Sequence, residues 1–182
     1  MIWHLLGVQL LVFCGVLVAA SFGEWALHKY VMHRRFPLLP YPYKLHALSH
    51  HSLFLGDETY TAKRDDPRAK HVTFAPLDYL LVLSAHGALF LAFEWLTGIV
   101  VMIGGLAAIL MYLVAFDVLH YCWHIPSDTR FQRTRLFRWM KERHRLHHGN
   151  PTINMNLIVP VADIVFGTLR RPDAGRDRLT TT

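Results

Sequence analysis

The sequence predicts an all-α protein that crosses a membrane about three times, and three observations predict it. Apolar stretches of spanning length alternate with basic segments. All 19 lysines and arginines fall in residues 29–76 and 117–182, leaving 1–28 and 77–116 without any. Ten of the 13 histidines are clustered, and every cluster lies in or directly beside a basic segment rather than within a long apolar stretch. The hydrophobic fraction of 53% decides little alone, since a soluble domain of this length also buries a core.

The first apolar stretch, residues 2–22, is interrupted by His4, Gln9 and Ser21. No Lys or Arg precedes it, which argues against a signal peptide and for a retained helix. It leads without a break into "GEWALHKYVMH". The second region, 77–116, is too long for one span and divides at "LTGIV", where Thr97-Gly98 suits a tight turn. Residues 77–96 and 98–116 are then each close to the ~20 residues that cross ~30 Å of hydrocarbon. Both basic blocks fall on one side, which the positive-inside rule assigns to the cytoplasm, with the N-terminus outside. "MNLIVPVADIVFGTL" (155–169) is apolar but interrupted by Pro160 and Asp163. It reads as an interfacial segment lying on the membrane or packing over the metal site that the clustered histidines suggest, in preference to a fourth span. Residues 1–172 form one domain, and the polar 173–182 a flexible tail. Cys14 and Cys122 make no disulfide framework.

The net charge of +6 fits this topology and attraction to anionic lipid. No nucleic-acid-binding motif accompanies it, so a nucleic-acid partner is not expected.

The clusters are "HKYVMH" (His28, His33), "HALSHH" (His46, His50, His51), "HYCWH" (His120, His124) and "HRLHH" (His144, His147, His148). Helical residues three or four apart share a face, so each of the last three clusters can aim two or three imidazoles at one point. His28 and His33 are five apart and need a π-bulge or a helix end near Val31-Met32 to meet. One such pair alone is more often a helix surface than a ligand pair. Four on one membrane face point to transition metal, which neutral imidazole binds well. Ten imidazoles exceed the four ligands of a structural zinc, so two ions fit better. Neighbouring arginines would discourage protonation of the ring nitrogens.

Glu24 precedes His28 by four and Asp117 precedes His120 by three, so each could accept the outer N–H of a ligating imidazole. The plain alternative is a surface charge near the membrane interface. Asp57, Glu58, Asp65 and Asp66 sit among Lys63, Arg64, Arg68 and Lys70, a mixed-charge solvated loop. His86 lies mid-span and is expected to be neutral, bonding to a neighbouring helix. Cys122 should face away from the histidines, about 200° around the helix from His120.

On these motifs the chain resembles the fatty acid hydroxylase superfamily, which includes sterol desaturases and bacterial carotenoid hydroxylases. The resemblance covers residues of about 20–172. "EWALHKYVMH" is similar to the first box of that superfamily. "FDVLHYCWH" is similar to the third box of the fatty acyl 2-hydroxylases, and "MKERHRLHHGNPTINMNLIVPVADIVFGTLRRP" to the fourth box and its usual ending. Two departures stand out. "HALSHH" has three residues before the His pair where hydroxylases usually have two. The first box looks like that of the carotenoid hydroxylases, but "HYCWH" is one residue shorter than their third.

The resemblance implies two iron ions held by the ten histidines, with zinc possible in a purified form, and O2 as cosubstrate. It implies hydroxylation of an unactivated C–H of a lipid or fatty acyl substrate; the depth of the boxes, at the cytoplasmic ends of the spans, would bring a carbon near the head group closest to the metals. Electrons would come from a separate donor of ferredoxin or cytochrome b5 type, since no fused carrier domain is expected at this length. A sterol or lipid desaturase and a carotenoid hydroxylase are the alternatives within the superfamily. A non-catalytic metal-binding membrane protein is the alternative outside it, disfavoured because transporters place their ligands near mid-membrane. The expected location is a bacterial inner membrane, with the site on the cytoplasmic face.

Overall fold

A computed structural model describes residues 2–171. Among these the chain is helical with no strand, as predicted, and the proposed tail 173–182 lies outside them. Three helices are long and apolar enough to cross a membrane. These are α1 (Ile2–Leu27), α4 (Pro76–Thr97) and α5 (Met102–His124). Shorter pieces gather at one end: α2 (Pro40–Tyr43), α3 (His51–Leu53), α6 (Arg135–Gly149) and α7 (Val161–Val165).

α5 is the central helix, with α1 and α4 packed against it. Its glycines permit the approach, because a Cβ at Gly104 would strike the backbone carbonyl of Gln9 and one at Gly105 would lie 2.7 Å from the Phe90 ring. α4 buries none of its residues, and Leu80, Leu81, Leu89, Leu91, Trp95 and Leu96 are exposed along it. A surface this apolar requires lipid rather than water around it.

The α4–α5 link differs from the expected two-residue turn. Gly98 ends α4 with φ 70°, a left-handed cap that glycine takes without steric cost. Helix α5 then begins only at Met102. Its first N–H groups have no partner within the helix, and hydrocarbon offers none. Polar side chains supply them instead. Glu94 Oε1 accepts from Val101 N (2.7 Å) and Met102 N (2.6 Å), and Gln9 Oε1 accepts from Gly104 N at 2.7 Å. At its other end α5 continues to His124, eight residues beyond the predicted 116, so the third box sits on the spanning helix itself.

Beyond α1, α4 and α5 the chain caps the bundle. Thr134 starts α6 by accepting from Phe137 N. Side chains of Asp57 and Asp66 likewise start two single 3-10 turns, Glu58–Tyr60 and Pro67–His71. Two buried clusters anchor this cap to the membrane helices. Tyr60, Phe116, Trp123, Phe137, Met140 and Leu157 form one; Trp25, Met155 and Ala162 form the other. Residues 155–169 do pack over the bundle end, but mostly in irregular conformation, with only Val161–Val165 helical.

Candidate metal centre

Two π-helical turns shape the site. One, His28–Met32, follows α1, and its i→i+5 bond runs from His33 N to His28 O at 3.0 Å. The other, Lys44–His50, joins α2 to α3, and its bond runs from His51 N to His46 O. In this winding residues five apart face one way. The rings of His28 and His33 therefore stack at 5.0 Å, and those of His46 and His51 meet at 4.7 Å. The bulge expected near Val31-Met32 is present, and a second one absorbs the extra residue of "HALSHH".

The ten clustered histidines fall into two groups of five: His28, His33, His46, His51 and His147, and His50, His120, His124, His144 and His148. In each, one nitrogen per ring lies within 4.8 Å of all the others. The first group is built from the two π-turn pairs plus His147. The second is built from the two i,i+4 pairs of α5 and α6 plus His50. Each box thus aims two imidazoles at one point, as expected, while the third histidine of "HALSHH" (His50) and of "HRLHH" (His147) joins the other group. Neighbouring residues of a helix point about 100° apart, so His50-His51 and His147-His148 are each divided between the groups. The groups adjoin where the His51 and His148 rings stack at 4.1 Å.

The outer ring nitrogens show which atoms are free to bind. Nδ1 of His28 contacts Met155 O at 2.5 Å, and that of His147 contacts Ile153 O at 2.8 Å. In the second group Nδ1 of His120, His124 and His148 contacts Val72 O (3.0 Å), Tyr60 O (2.8 Å) and Phe54 O (2.6 Å). A carbonyl only accepts, so each Nδ1 carries the proton and each Nε2 presents a lone pair. Each faces the Nε2 of another ring: Nε2 of His124 lies 3.1 Å from that of His144, and Nε2 of His28 lies 2.8 Å from that of His46. Convergent, unprotonated nitrogens are the donor set of a borderline transition-metal ion. The residues fit two such ions.

Burial keeps them neutral. It pushes the pKa of His33 and His148 down to about 3. It also holds His46, His50, His144 and His147 well below the ordinary range, with repulsion from neighbouring imidazoles adding to it. Desolvation and the imidazoles themselves, not nearby arginines, are the causes. His33 and His51 are the only partly exposed rings of the ten, so the first group has an open edge and the second is closed.

The two carboxylates expected behind the histidines are engaged elsewhere. Glu24 accepts from Tyr112 Oη (2.6 Å), Leu157 N (2.8 Å) and Asn156 Nδ2 (3.1 Å), tying α1 to α5 and to residues 156–157. Asp117 accepts from Phe74 N and Tyr79 Oη, both at 2.9 Å, and so fixes the start of α4 against α5. Backbone carbonyls take the role assigned to them, because the irregular segments 54–72 and 153–155 have carbonyls to spare whereas helices do not. His86 donates to Val82 O of its own helix at 2.8 Å, not to a neighbour. Cys122 packs on the aromatic cluster and joins neither group, as expected. Sequence reasoning missed Arg143, Asn154, Asn156 and the hydrogen-bonding of Asp163. Polar residues in the apolar run "NMNLIVPVAD" were the available signal.

Comparison with curated proteins and with solved structures returned no match. A family model described as fatty acid hydroxylase matches residues 13–168, an interval holding all ten clustered histidines and all three long helices in whole or large part. The chain belongs to the fatty acid hydroxylase family.

Proposed function

We propose that the protein is an O2-dependent, non-haem di-iron oxygenase that hydroxylates an unactivated C–H of a lipid or fatty acyl chain. The observation that carries this reading is the pair of adjoining five-imidazole groups at one end of a lipid-exposed helical bundle. His28, His33, His46, His51 and His147 would hold one iron, and His50, His120, His124, His144 and His148 the other. Iron so bound supplies the oxygen activation and one-electron chemistry that side chains lack. The protein's own contribution is to hold the imidazoles neutral, exclude water from the second group and leave the edge at His33 and His51 open to substrate. That edge lies at the end of the spans, so a lipid entering from the bilayer would present a carbon near its head group. Electrons would come from a separate ferredoxin or cytochrome b5 type donor. The location would be a bacterial inner membrane, with the site facing the cytoplasm.

Lipids of cells expressing the protein, compared with cells expressing His147→Ala, test this by high-resolution mass spectrometry. A lipid that gains one oxygen only with the intact protein is the expected result. Loss of two hydrogens would replace hydroxylation by desaturation. No change in any lipid, with donor supplied and both sites metal-loaded, would overturn the assignment.

A further inference from the structure

The two groups of histidines are braced by different parts of the chain. Carbonyls of Phe54, Tyr60 and Val72 hold the second group. Carbonyls of Ile153 and Met155 hold His147 and His28 of the first. The segment carrying those last two carbonyls has no regular structure of its own, so something else must fix it.

That something is Asp163, which is fully buried. Its carboxylate accepts four hydrogen bonds: from Met155 N and Asn156 N at 2.9 Å each, from Thr168 Oγ1 at 2.6 Å, and from Arg143 Nη2 at 3.1 Å. Met155 is thus gripped at its N–H by Asp163 while its carbonyl grips His28. Arg143 closes the loop from α6, donating to Asn156 O at 2.9 Å, and Asn154 donates its amide to Arg143 O at 3.1 Å. Asn154 holds a left-handed φ of 51°, which lets the carbonyls on either side of it reach two different histidines. None of these hydrogen bonds reaches segment 54–72 or an imidazole of the second group; the one tie to that group is the backbone of α6, where Arg143 precedes His144.

We infer that Asp163 is a positioning residue for the first metal site alone, acting through the peptide of Met155 on the orientation and tautomer of His28, and through the same strap on His147. This rests on the reading that the two groups hold metal. Partners of a ligand's outer nitrogen typically govern metal affinity by about 10–100-fold. A carboxylate is required because four donors converge on it. An asparagine would turn an N–H toward one of them and leave Arg143 without its counter-charge.

The test uses the full chain in detergent micelles, stripped of metal and titrated with Co(II) alone by visible absorption. Asp163→Asn is made in two backgrounds. His120→Ala with His124→Ala disables the second group, and His33→Ala with His51→Ala disables the first. The expected result is Co(II) binding at least about tenfold weaker in the first background and unchanged in the second. Equal weakening in both would show general destabilisation and overturn the inference, as would no weakening in the first. If Asp163→Asn fails to fold, Thr168→Val removes one donor and keeps the charge. The same comparison then decides, with a smaller loss expected in the first background alone. An unmodified chain that binds fewer than two Co(II) would instead overturn the two-metal reading itself.

Discussion

Single residues at the centre combine two opposed demands. An imidazole that binds metal must be unprotonated, and one that is ordered must be hydrogen-bonded. His148 meets both, with Nδ1 donating to Phe54 O and burial holding its pKa near 3 rather than 6.5. The consequence is a pH-dependent stability of the metal-free protein. Between about 6.5 and about 3 the unfolded chain binds a proton at His148 that the folded chain refuses, so acid favours unfolding in that window. His46, His50, His144 and His147 are shifted the same way and add to the effect. Thermal unfolding of the stripped protein in detergent should show a midpoint steady above about pH 7 and falling on acidification through 6 and 5. A midpoint that rose on acidification would contradict the neutral assignment.

At the scale of elements, the two histidine groups differ in how their pairs are wound. Pairs in the second group sit four apart on ordinary α-helix, while those in the first sit five apart on π turns. A π turn is an α-helix carrying one extra residue. Deleting Ala47 should therefore turn His46 and His51 into an i,i+4 pair that still shares a face, and the chain should retain two metal ions. Deleting both Arg145 and Leu146 leaves His144 and His148 two apart on a regular helix, about 200° around from each other. That variant should lose metal from the second group. Metal content per chain measures both outcomes. Equal losses in the two deletions would mean that the π turn is required for the site.

For the whole molecule, the ends of the helices set the arrangement of site and membrane. The C-terminal end of α1 leads directly into His28, that of α5 carries His120 and His124, and the start of α4 is tied to Asp117 on α5. The α4–α5 link, tied to Gln9 near the start of α1, lies at the opposite end. The proposed orientation makes a direct prediction. In intact cells lacking the native thiols Cys14 and Cys122, a membrane-impermeant maleimide should label Ile99→Cys from outside. It should label Thr129→Cys, on the exposed loop before α6, only after the membrane is opened. The reverse pattern would place the histidines outside.

Much of this was legible without coordinates. Long apolar runs free of lysine and arginine determine that the chain is helical and membrane-spanning, because hydrocarbon tolerates little else. Four histidine boxes on one side determine that imidazoles able to hold metal gather there. Which histidine joins which group was decided by tertiary structure alone. His50 and His51 are adjacent in sequence yet serve different groups, since the direction of each ring depends on π or α winding and on the helix it meets. The partners of the outer nitrogens were equally hidden, because backbone carbonyls have no letter in a sequence. Glu24 and Asp117 look like those partners by spacing. Only packing shows that they join helices, and that Ile153, Met155, Phe54, Tyr60 and Val72 do the work expected of them.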